Sequence, residues 1–257
     1  MLNFRKANVL LIVFILILFI VDLAIKISFV FYLLPLLAWS ALVFYGCYRV
    51  DSGFFIEIKC KGDASTKLMA LTFDDGPSAQ ITPGILDILN AQQVKATFFC
   101  IGRNIEGNEA LIKRMHAEGH TIGNHSDSHA FWFDMFPVSK MMADLSQFDW
   151  KIKNVLGMRT RMFRPPYGVT NPTVKKVILQ GNYFPIGWSV RSMDTVIKDK
   201  NKLLEKVKSG FAPGAVLLFH DTCEVTKEIL EELITNAKQQ GYQWVTVDQL
   251  FRIQPYV

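Results

Sequence analysis

Cysteine is scarce in this chain: Cys47, Cys60, Cys100 and Cys223 are the four in 257 residues, and no two form a CxxC pair. That spacing excludes a thiolate zinc site and a dithiol redox centre of the usual kind. A bridge between Cys60 and Cys100 is left open, and Cys47 falls inside an apolar run. An excess of one charge is also missing, since the net charge is only +5. Residues 1–50 carry Arg5, Lys6, Lys26 and Arg49 against Asp22, which is +3 and leaves +2 for residues 51–257. A nearly balanced chain without a clustered Lys/Arg face does not read as a nucleic-acid binder. GxSxG is absent, so no serine-nucleophile elbow is indicated. No repeat of longer period and no low-complexity tract occurs.

Apolar length is what the chain has in abundance, and it is concentrated at the start. Residues 7–21 are almost wholly Val, Leu, Ile and Phe, and a second apolar run covers 27–47. A membrane-spanning helix takes roughly 20 mostly apolar residues. Residues 1–50 therefore read as a membrane anchor of two helices joined by a tight turn, in preference to one span plus an interfacial segment. Trp39, Tyr45 and Tyr48 suit an interfacial aromatic belt. A cleaved leader would end in a small-x-small site, whereas here a second apolar run follows. The Lys/Arg distribution mildly favours a hairpin with both ends in the cytoplasm.

Residues 51–66 read as a linker around a short strand at 54–59, and 67–257 as one catalytic domain. Within it, β-prone runs at 68–73, 96–101, 121–123, 161–163, 183–190, 216–219 and 244–247 alternate with helical patterns at 81–92, 105–118, 138–156, 172–180, 200–209 and 225–240, with a short terminal helix. Pro83 and Pro172 fall near helix starts, and Gly119, Gly181 and Gly241 where helices end. Such alternation predicts an α/β fold: an irregular (β/α) barrel with about seven parallel strands and helices outside.

Five polar clusters follow those strands: Thr72-Phe73-Asp74-Asp75-Gly76-Pro77, His125-Ser126-Asp127-Ser128-His129, Arg164-Pro165-Pro166-Tyr167-Gly168, Trp188 through Asp194, and Leu218-Phe219-His220-Asp221. All sit at strand C-terminal ends, the edge on which barrel active sites are assembled. His125 and His129, four apart, would share a face on a helical turn; two surface histidines are the plainer reading. Asp75 can complete a two-His, one-carboxylate metal set. Asp74-Asp75 is otherwise ordinary turn chemistry before Gly-Pro, but adjacent residues leaving a strand point apart, so one carboxylate can ligate while the other acts as base. Arg164 is either a surface arginine or the partner that lowers the base's pKa. Its loop can aim backbone N–H groups at an oxyanion. His220 is either a core histidine or a general acid, with Asp194 to orient it.

These motifs, in this order, resemble the polysaccharide deacetylases with a NodB homology domain, in the carbohydrate esterase class, over about residues 67–250. The resemblance implies that Asp75, His125 and His129 bind a divalent metal, zinc first with cobalt or nickel as substitutes. It makes Asp74 the base and His220 the acid, tuned by Arg164 and Asp194. It gives the Tyr167 N–H to the oxyanion and Leu218 to the acetyl pocket. Thr195 stands where the family usually has Trp, and Trp188 lies earlier on that segment to fill part of the space. The implied function is N-deacetylation of amino sugars in a polysaccharide or cell-envelope glycan, by a membrane-anchored monomer whose substrate places the domain outside the cytoplasm. O-acetyl esterase action and an inactive, membrane-held glycan-binding protein are the alternatives. A zinc peptidase fits less well, because Ser126 follows His125 where a Glu base would stand.

Overall fold

The computed structural model describes residues 2–257. Helices α1 (Phe4–Ile25) and α2 (Val30–Tyr48) form the expected hairpin. Asn3 caps α1 by accepting from the Lys6 N–H at 3.0 Å, and Lys26 ends it in a left-handed turn. Both helices, of 22 and 19 residues, are long and apolar enough to cross a membrane.

The hairpin is fastened to the rest of the chain at one end. The Phe4 N–H donates to the Phe54 carbonyl at 2.9 Å. Thr170 donates from its N–H to the Cys47 carbonyl (3.2 Å) and from its hydroxyl to the Gly46 carbonyl (3.0 Å). Gly46 is required here, because a Cβ at that position would run into the Phe54 ring. The strand expected at 54–59 does not form. Phe54 and Phe55 are both buried against the hairpin, whereas a strand would send adjacent side chains to opposite faces. Only single bridges survive there, Lys59 with Ile186 and Lys61 with Ala215.

The rest is a curled half-barrel. Strands β1 (Leu68–Asp74), β2 (Thr97–Cys100), β3 (Thr121–Asn124), β4 (Met162–Phe163), β5 (Phe184–Pro185), β6 (Val190–Arg191) and β7 (Val216–His220) lie in the order β5-β4-β3-β2-β1-β7-β6. All pairings are parallel, and β8 (Gln243–Val245) pairs with the first half of β1. The single strand expected at 183–190 is two short ones. Pro185 cannot donate to a ladder, and at Gly187 the chain turns to Lys59, whose carbonyl accepts the Gly187 N–H at 2.9 Å.

Helices α3 (Thr82–Ala91), α4 (Glu109–Ala117), α5 (Val138–Leu156), α6 (Pro172–Gln180), α7 (Lys200–Lys208), α8 (Glu224–Gln239) and α9 (Val247–Phe251) complete the structure. The helix expected from residue 105 starts only at Glu109, because Gly107 takes a φ of 81°, which favours glycine and breaks helical geometry. In β1, Met69, Ala70, Leu71 and Phe73 are fully buried, as expected of a parallel strand covered on both faces. All four cysteines are free, and Cys60 and Cys100 sit in separate core clusters, so the bridge left open by the sequence is not made.

His120 supplies a pH test of the core. It is buried, and its Nδ1 accepts the Ala96 N–H at 3.1 Å. Burial lowers its pKa from 6.5 to about 4. The unfolded chain therefore takes up the proton first, and the associated stability, complete above pH 6.5, falls away as pH drops toward 4. Relative to His120→Gln, which keeps an acceptor but does not titrate, the wild type should lose about 3 kcal/mol across that window. Unfolding midpoints of both proteins between pH 7 and 4 check this; a constant difference would contradict it.

Candidate active site

Five strands deliver the site. Asp74 ends β1 and is 3% exposed, and Arg164, just past β4, is fully buried. Arg164 Nη1 donates to Asp74 Oδ1 at 2.6 Å and to Thr72 Oγ1 at 2.8 Å, and Nη2 donates to the Gly187 carbonyl at 2.8 Å. The guanidinium lies 4.1 Å from the Phe99 ring centroid. The Asp74 carboxyl is held above its ordinary range, because burial outweighs the opposing pull of Arg164. Arg164 does pair with Asp74 as expected, but desolvation decides the net direction, which makes Asp74 a stronger base.

Asp75, in a left-handed turn with φ 74°, faces His125 and His129. Its Oδ1 lies 3.6 Å from His125 Nε2 and 3.4 Å from His129 Nε2, too far for hydrogen bonds. That Oδ1 has no hydrogen-bond partner. His125 Nδ1 donates to the Arg164 carbonyl at 2.8 Å, which leaves the lone pair on Nε2, facing Asp75. Burial, reinforced by His129, lowers the His125 pKa to about 3. One donor atom from each of the three residues falls within 4.8 Å of the others. An orphaned carboxylate oxygen between two imidazole nitrogens, one of them fixed as an acceptor, is a donor set that fits a divalent cation.

The two histidines do not share a helical turn. Ser126 and His129 have positive φ, 66° and 44°. Side chains capture the loop instead: Asn124 Oδ1 accepts the Ser126 N–H (2.7 Å), Asp144 Oδ1 that of Asp127 (2.7 Å) and Ser126 Oγ that of His129 (2.9 Å). Local side-chain acceptors of this kind outcompete a helix.

Across the cavity His220 ends β7. Its Nδ1 is 2.7 Å from Asp194 Oδ1, and its backbone N–H donates to Asp194 Oδ2 at 2.7 Å. Thr226 Oγ1 donates to the same Oδ2 at 2.6 Å, so the buried carboxylate is fully engaged. Burial opposes charge on His220, but the hydrogen bond and charge of Asp194 prevail and raise its pKa. Its Nε2 is 3.9 Å from Asp75 Oδ2 and faces the same space.

These groups line a cavity of about 200 Å³ with Tyr167, Gly168, Trp188, Arg191, Thr195 and Leu218. Tyr167 adopts φ 59°, and its ring sits 4.8 Å from that of His129. A Cβ on Gly168 would meet the Trp188 ring, so Trp188 packs over the loop and lies with Leu218 in the cavity wall. Two residues of the five polar clusters carry no assigned role in the sequence. Asp221 is buried beside Gly76 and accepts from Thr82 Oγ1 at 2.7 Å, with burial raising its pKa to about 7. Arg191 faces the cavity, which becomes visible only once β6 is in register with β7.

A family model described as polysaccharide deacetylase matches residues 61–185. The peptidoglycan-N-acetylmuramic acid deacetylase PdaA of Bacillus subtilis is 33% identical over 193 residues, covering 74% of this chain and 73% of the relative. The chain belongs to the polysaccharide deacetylase family. Among other relatives, the peptidoglycan-N-acetylglucosamine deacetylase PgdA of Listeria monocytogenes is 36% identical over 73% of this chain, which spans only 39% of that longer protein. The solved structure of a CE4 family pseudoenzyme from Bacillus anthracis superposes with a TM-score of 0.70 at 29% identity, covering 74% of this chain and 67% of its own. The family fold thus accommodates an inactive protein, and the residues of the site must carry the argument for activity.

Proposed function

We propose that the protein is a metal-dependent hydrolase that removes N-acetyl groups from amino sugars of a cell-envelope glycan, with peptidoglycan as the leading substrate. The observation that carries this is the pair of hydrogen-bonded couples, buried Asp74 with Arg164 and His220 with buried Asp194, facing one another across the Asp75, His125 and His129 cluster. An inactive glycan-binding protein would have no need of both. When bound by those three residues, a divalent cation such as zinc would polarise the acetamide oxygen and acidify a water.

The chain's own groups account for the rest. Asp74 Oδ2, the oxygen not engaged by Arg164 Nη1, takes the proton of the attacking water. The Tyr167 N–H supports the developing oxyanion, while Leu218 and Trp188 enclose the acetyl methyl. His220, held by Asp194 with its Nε2 toward the cavity, gives its proton to the departing nitrogen as the C–N bond breaks. Acetate and a free amine result. We place α1 and α2 in the bilayer, with the barrel of a monomeric enzyme on the outer side.

The test is product analysis on an N-acetylated chito-oligosaccharide, a peptidoglycan fragment and an O-acetylated glycan. The expected result is stoichiometric acetate and free amine from the first two. Acetate released solely from the ester would make the protein an O-acetyl esterase instead.

A further inference from the structure

Among the described residues, one cationic side chain lining the cavity is left unused by this chemistry. Arg191 is exposed, lines the cavity, and makes no side-chain hydrogen bond or ion pair among the described residues. Its orientation follows from the sheet. Arg191 is in register with Leu218, which is in register with Thr72, and laterally paired residues of a parallel sheet share a face. Thr72 contacts Arg164 at the centre of the barrel, and Leu218 lines the cavity. Val190, the preceding residue, faces the other way and packs against the outer core and Gly210.

The neighbouring acids are already committed. Asp74 is paired with Arg164 and Asp194 with His220, while Asp75 belongs to the cluster with His125 and His129 that fits a cation. Arg191 therefore lines the cavity with its guanidinium unpaired among the described residues. A guanidinium presents a planar fork of donors matched to carboxylate and phosphate oxygens. With the acetyl group between Leu218 and Trp188, a substrate substituent reaching Arg191 lies on the acetylated sugar or its immediate neighbour.

We propose that Arg191 is a specificity-determining residue that selects an anionic amino sugar, one bearing a carboxylate or phosphate close to the scissile acetamido group. This rests on the hydrolase reading above and narrows its substrate class.

The test uses the full, zinc-loaded chain in detergent with three probes: neutral tetra-N-acetylchitotetraose, an N-acetylmuramic acid-containing disaccharide carrying a carboxylate, and N-acetylglucosamine 1-phosphate. The wild type should favour an anionic probe, and the preferred one identifies carboxylate or phosphate. In Arg191→Met the ratio of kcat/KM for that probe over the neutral tetramer should fall about 10- to 100-fold, mainly through KM. Arg191→Lys, which keeps the charge but loses the fork, should recover part of it. Calorimetric binding of the same probes separates the two ideas. Anion-selective binding that depends on Arg191 without turnover would sink the hydrolase reading and leave this one standing. A selectivity ratio unchanged in Arg191→Met, in binding and turnover alike, would overturn the proposal.

Discussion

Asp74→Asn should lower kcat for deacetylation of a chito-oligosaccharide by about 10³-fold, within the range seen when a general base is removed. Sequence reasoning alone would expect this variant to fold as well as the wild type. The structure says otherwise, because Asp74 is the ion-pair partner of a fully buried arginine. Asparagine still offers an acceptor to Arg164 Nη1 but no longer balances its charge, and an uncompensated buried charge costs about 3–5 kcal/mol. A clear drop in thermal stability should therefore accompany the loss of turnover. The double variant Asp74→Asn, Arg164→Met separates the effects: it should regain stability and stay inactive. Wild-type turnover by the single variant would remove Asp74 from the mechanism.

The second large effect is expected on stripping metal. Treatment of the full chain with a chelator should abolish turnover to the detection limit, and zinc, cobalt or nickel added back should each restore it. Binding has its own signature. A ligand held by the folded chain at 100 times its Kd adds about 2.7 kcal/mol of stability, so the thermal midpoint should rise with metal in the wild type and far less in His125→Ala. Full activity in protein shown by elemental analysis to be metal-free would refute the metal assignment.

The alternation of strands and helices was legible because a parallel strand buried on both faces reads as a mostly apolar run, as β1 and β7 do. The site was legible because catalytic types recur at the ends of those runs. What escaped notice depends on partners distant in sequence. Nothing near Phe54 announces that its ring will rest on Gly46, so residues 54–59 passed for a strand. The loop holding His125 and His129 is shaped by Asn124 and by Asp144, the latter on a helix (α5) well downstream, and the four-residue spacing alone suggested a helical turn. Arg191 acquires meaning only from its lateral neighbour Leu218. The direction of the Asp74 shift likewise depends on burial, which local sequence does not display.

The fastening of the helical hairpin to the barrel has a mechanical consequence. Thr170 holds the last turn of α2 and is only three residues from Tyr167, a separation of at most about 11 Å of extended chain. The barrel is thus mounted on its two helices without slack. A domain on a loose tether sweeps a hemisphere and samples whatever falls within its radius; with the hairpin in a bilayer, this one would hold its cavity near one height. Access would then be governed by which glycan segments pass through that narrow layer, and lengthening the connection at residues 51–53 while removing the Thr170 hydroxyl that holds α2 would change the reach of the enzyme without altering its chemistry.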